Sequence, residues 1–114
     1  MQKLILILFA TAFIFVPRAA LAEDTWTNVS LIDTACQMKV KDAPDTHTRE
    51  CALQCVTGGY GVLMADGTYL TFDKAGNDKA LAALRASKKS DHLRVTVSGE
   101  RKGSTIAVSS LQLH

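Results

Sequence analysis

Four side chains in this sequence could bind a soft metal ion or enter thiol chemistry: Cys36, His47, Cys51 and Cys55. Thiolate and imidazole hold zinc in a closed tetrahedron, or copper(I) in a softer site of lower coordination number. Their spacing favours a common site. Residues advance about 100° each on an α-helix, so His47, Cys51 and Cys55 fall within an arc of about 80° if one helix carries all three. Ala52, Leu53 and Val56 extend that side into an apolar surface, with Glu50 and Gln54 on the opposite edge. The cysteines are therefore expected where the helix meets the core and His47 nearer the rim, with Cys36 reaching them from a loop. Met38 or Met64 offers an additional thioether. Zinc or copper(I) is the ion this set implies.

The number of thiols matters because the N-terminus reads as an export signal. Lys3 precedes an uncharged apolar run, Leu4 to Val16, that is short for a bilayer, and Ala20-Leu21-Ala22 supplies small residues at the positions a signal peptidase reads. Cleavage there leaves a chain of 92 residues beginning at Glu23, soluble in a periplasm or outside the cell, with no membrane anchor. Three cysteines in an oxidising compartment cannot all pair within one chain. A disulfide from Cys36 to Cys51 or Cys55 would close 14 or 18 intervening residues and contribute about 3 kcal/mol. The third thiol would then be buried. Cys51 with Cys55 is the poorest pair, because side chains one helical turn apart rarely reach disulfide torsions.

Charge excludes one class of partner. Residues 1–22 hold Lys3 and Arg18 and no acid, so eleven basic residues face eleven acidic ones in the remainder. A net charge near zero gives no electrostatic case for nucleic acid or an anionic membrane surface. Catalytic motifs are also missing: there is no Cys-x-x-Cys, no Gly-x-Ser-x-Gly, no phosphate-binding glycine loop and no His-Glu-x-x-His. A Cys51–His47 pair has no visible group to orient the imidazole, so no enzymatic activity is expected. His92 and His114 read as solvated surface residues.

The elements that must position these residues are short. Trp26 to Asp33 reads as a strand whose alternation slips by one residue near Asn28, which predicts a bulge. Thr34 to Pro44 is a polar loop, and Asp45 or Thr46 offers an N-cap for a helix of about three turns ending at Gly58-Gly59. Asp66-Gly67 predicts a hairpin between Tyr60–Ala65 and Thr68–Phe72, with Val62, Met64, Tyr69 and Phe72 among its buried members. Gly76-Asn77 caps a second helix with Ala80, Leu81 and Leu84 on its apolar face. His92 to Ser98 alternates, with Leu93, Val95 and Val97 on a dry face and Arg94 and Thr96 on a wet one. Residues 99–103 turn the chain into a last strand, Thr105 to Leu113, whose offset apolar residues imply a second bulge.

Five strands and two helices in one small domain, residues 23–114, predict a mainly β fold: a five-stranded, partly open OB-like barrel. An antiparallel α+β sheet with two helices on one face is the alternative. Only Trp26, Tyr60, Tyr69 and Phe72 could stack bases, and the core needs most of them.

Asp33-Thr34-Ala35-Cys36, the segment His47 to Cys55 running into Gly58-Gly59-Tyr60-Gly61, Asp66-Gly67 and Val95-Thr96-Val97-Ser98-Gly99 together resemble a family of small secreted bacterial proteins, a domain of unknown function. The resemblance spans nearly all of the chain after residue 22 and is most specific in its Cys … Cys-x₃-Cys pattern. It implies an OB-like barrel and an extracytoplasmic compartment, and no activity. Some members carry Gly after the first cysteine and His shortly beyond, where Gln37, Met38 and Lys39 stand here, so of that loop only Cys36 carries a ligand role over. The resulting expectation is a monomeric, exported, non-enzymatic binding protein with a soft metal at Cys36, His47, Cys51 and Cys55. The alternative is a disulfide-stapled envelope module that binds another protein and whose cysteines are purely structural.

Overall fold

The computed structural model describes residues 23–114; the export signal read at 1–22 lies outside them. Five strands, β1 (Asp24–Asp33), β2 (Tyr60–Leu63), β3 (Tyr69–Phe72), β4 (Arg94–Lys102) and β5 (Thr105–Leu113), form a barrel in the order β1-β2-β3-β5-β4. The barrel is closed rather than partly open. β1 makes closure possible by serving two neighbours: Ser30 to Asp33 pair with β2, and Asp24 to Ser30 pair with β4. The parallel pairing of Thr71 and Phe72 with Thr105 and Ile106 joins β3 to β5, completing a ring that leaves no open sheet edge.

Both predicted bulges are present. The β1–β4 register shifts between Trp26 and Val29, where Asn28 takes φ 54°. On β4–β5, Ser98 faces Ser110 while Gly99 faces Val108, so Ser109 is the extra residue. It returns Leu111 and Leu113 to the face that carries Ile106 and Val108, opposite Val97 and Val95, despite the odd spacing. Leu31, Val62, Leu70, Val95, Val97 and Ile106 meet inside the barrel, and all are essentially inaccessible to solvent. In the hairpin, Val62 and Phe72 are buried as expected, Met64 and Tyr69 are half-buried, and Leu70 and Tyr60 complete the inner set.

Three boundaries differ from expectation. β4 continues through residues 99–102, and the reversal falls at Gly103-Ser104, where Gly103 takes φ 62°. The second helix, α2 (Lys74–Ala86), starts three residues before Asn77, capped by Asp73, whose carboxylate accepts the Gly76 N–H at 2.9 Å. Gly76 is thus not a cap. It lies inside α2 because a Cβ there would run into Val108 and Phe72.

The third difference bears on the site. The first helix, α1 (Arg49–Gln54), is only six residues long, flanked by 3₁₀ turns at Pro44–Thr46 and Val56–Gly58. Thr48, not Asp45 or Thr46, is the N-cap, its hydroxyl accepting the Cys51 N–H at 3.1 Å. Asp45 is engaged elsewhere. Arg94 grips its carboxylate through two nitrogens, at 2.8 and 2.9 Å, and also donates to the Asn28 carbonyl at 3.0 Å. Among the described residues, no helix is long and apolar enough to cross a membrane.

Candidate metal centre

Asp33 closes β1 opposite Tyr60, and its side chain is completely buried. An isolated buried carboxylate would be costly, so its two oxygens must be satisfied. One accepts the Cys36 N–H at 3.1 Å, which caps a 3₁₀ turn at Thr34–Cys36. The other meets His47 Nε2 at 2.5 Å. A single carboxylate therefore fixes both the backbone that presents Cys36 and the imidazole ring.

Surrounding bonds hold this arrangement. Tyr69 donates its hydroxyl hydrogen to the Ile32 carbonyl at 2.8 Å and lies 3.1 Å from the Thr34 hydroxyl. Thr34 N–H donates to the Gly59 carbonyl at 3.0 Å, tying the Cys36 turn to the segment that follows α1. His47 comes from the other side. The Pro44–Thr46 turn ends at its extended backbone, and its N–H donates to the Pro44 carbonyl at 3.2 Å. The Asp45–Arg94 pair anchors that turn to β4. Arg94 holds the Asp45 carboxyl below its usual 3.8; the pair therefore contributes stability above that pH and loses it as pH falls through the folded value.

The ligand atoms of Asp33, Cys36 and His47 all lie within 4.8 Å of one another. Burial, then the Asp33 carboxylate and the Cys55 thiol beside it, push the Cys36 thiol up to about 11. At neutral pH this sulfur is protonated, so it is a poor nucleophile until a metal displaces the proton.

The structure brings together some of the expected ligands and separates others. Cys36 and His47 meet as expected. His47 is 4% exposed rather than at a rim, and it precedes α1 instead of lying on it, so the shared helical face does not exist. Cys55 is the half-buried C-cap of α1, next to Cys36 but outside the three-residue cluster. Cys51 is exposed, because Ala52 occupies the buried face of this short helix. Met38 is 75% exposed. All three cysteines are free thiols, so the expected disulfide is not formed in this structure.

Sequence reasoning missed Asp33, although a signal was present. An Asp at a strand end with a free N–H three residues on is the pattern of a side-chain cap, and Asp33-Thr34-Ala35-Cys36 has it. His92 bonds to Asp91 and His114 to Thr96 at the surface, as expected of solvated histidines.

Thiol reactivity should follow this geometry. In the reduced, folded protein at pH 7.5, Cys51 is expected to react first with iodoacetamide and Cys36 last, read by peptide mass mapping. Because the folded state holds the Cys36 proton more tightly than the unfolded chain, its contribution to stability is full below about 9 and declines from there to about 11. Equal alkylation of Cys36 and Cys51 would contradict the partial shielding of the Cys36 thiol.

Compared with protein-family models, with curated proteins and with solved structures, the chain matches none of them.

Proposed function

We propose that this chain is an exported, non-enzymatic binding protein that takes one zinc or copper(I) ion at Cys36 and His47, with Asp33 behind them and Cys55 at the edge. The observation that carries the reading is the convergence of a carboxylate and a thiol from residues 33–36 with the imidazole of His47 from a second segment, two of the three residues being buried. Around a tetrahedral zinc ion such donors sit about 3.3–3.6 Å apart. Binding would therefore have to contract the 4.8 Å cluster, drawing Cys36 inward while Asp33 keeps its bond to His47 Nε2. Asp33 also fits the role of the carboxylate that orients a metal-bound histidine.

The test is a competition titration of the reduced protein against a chromophoric chelator, with zinc and with copper(I). Cys36→Ser and His47→Ala are expected to weaken binding by at least about 100-fold and about 10-fold respectively, since a thiolate is the stronger soft-metal ligand. Cys51→Ser should leave it unchanged, because that side chain faces solvent. Binding should weaken as pH falls, since each ligand must lose a proton. If Cys36→Ser binds both ions as the wild type does, the site is not a metal centre.

The second reading, a protein-interaction module with structural cysteines, draws on the neighbouring Cys36 and Cys55 thiols. Intact mass after alkylation under native and denaturing conditions separates the readings by counting free thiols and bound metal together.

A further inference from the structure

We infer that Cys36 is shared between two partners, so that oxidation of the Cys36–Cys55 pair to a disulfide shuts the metal site and its reduction opens it. The inference rests on the metal reading above. Its structural basis is the way the two segments meet. The Thr34 N–H bonds to the Gly59 carbonyl, and a Cβ built at Gly58 would lie 3.8 Å from the Ala35 nitrogen and 3.9 Å from its Cβ. The turn that ends in Cys36 is thus packed against the turn that begins after Cys55. Both thiols are half-buried, whereas Cys51 points to solvent. Of the two helix cysteines, the fold offers Cys55 to Cys36.

The chemistry balances with an external disulfide as oxidant. Its S–S bond breaks, the Cys36–Cys55 bond forms, two electrons pass to the oxidant, and the two thiol protons end on the departing thiols. A sulfur in a disulfide has no thiolate charge to offer a metal. Closing the site leaves no stranded group, because Asp33 and His47 keep their bond to each other and the Cys36 N–H keeps its bond to Asp33. Reduction then frees one thiol on each side of the contact.

Zinc is the suitable probe because it has no redox chemistry of its own. The protein is reduced, then oxidised with oxidised glutathione, and each form is mapped by peptide mass spectrometry and titrated with zinc against a chelator. The Cys51→Ser variant undergoes the same cycle, which removes the competing exposed thiol. Expected is a Cys36–Cys55 bond in both proteins, a fall in zinc affinity of at least about 100-fold on oxidation and full recovery with a thiol reductant. A bond involving Cys51, a persistent mixed disulfide on Cys36, or unchanged zinc affinity in the oxidised form would overturn the inference. If the Cys36–Cys55 bond forms but the reduced protein binds no zinc, the metal reading itself has failed, and the switch with it.

Discussion

Val95→Asp is expected to leave the chain unfolded under conditions where the wild type gives a cooperative melt. Val95 is fully buried near the start of β4, paired with Val29 on one side and Leu113 on the other. Its neighbours in the core include Leu31, Val97 and Ile106, none of which can bond to a carboxylate. Leaving an ionised group unpaired there, on top of the lost apolar burial, costs at least about 4 kcal/mol, a large share of what a domain of this size possesses. Circular dichroism and near-ultraviolet spectra would read the loss directly. A folded Val95→Asp protein would mean that β4 has the opposite phase.

Arg94→Asp, on the opposite face of the same strand, has a smaller but specific expected effect. From the alternation alone it reads as a mild change on a wet surface. The structure makes it more than that, because Arg94 binds the Asp45 carboxylate through two nitrogens and the Asn28 carbonyl through the third. The variant would set two carboxylates against each other at a half-exposed site, a cost of about 1–2 kcal/mol. It would also loosen the turn that delivers His47, so zinc affinity should fall while the barrel persists.

The contrast between these neighbouring residues shows which kinds of information were legible in the sequence. Strand phase was, because burial imposes a period of two, and the slips at Asn28 and Ser109 marked their own bulges. Closure of the barrel was not, since it depends on β1 dividing its hydrogen bonds between β2 and β4, a choice made by twist and length rather than by residue type. The α1 boundary failed for a related reason. Asp45, Thr46 and Thr48 are all good caps, and what selects Thr48 is the engagement of Asp45 by Arg94 and of His47 by Asp33, two contacts of sequence separation 49 and 14. With the helix start misplaced, the helical wheel put Cys51 and His47 on one side, whereas the short helix buries Ala52 and turns Cys51 outward. Cys36 and His47 survived as neighbours because their chemistry, not their periodicity, had marked them.

Asp33→Ala should be the most damaging single change at the site, for fold and ligand binding together. The variant removes both acceptors at once. His47, 4% exposed, would lose the partner of Nε2, and the Cys36 N–H would lose its cap. Stranded buried donors of this kind cost about 1–3 kcal/mol each, so a total near 3 kcal/mol and a melting temperature lower by more than about 10 °C are expected. Asp33→Asn keeps the shape and one acceptor, and should lose about half as much stability while still weakening zinc binding at least about 10-fold, because the carboxylate charge is gone. The pair of variants separates the two roles: stability follows the hydrogen bonds, whereas affinity follows the charge. Combining Asp33→Asn with His47→Gln should cost less than the sum of the single changes, since both remove the same contact, with a coupling of about 1–2 kcal/mol in thermal or denaturant unfolding. Additive losses, or an Asp33→Asn protein equal to wild type in both measurements, would show that this carboxylate merely fills space at the end of β1.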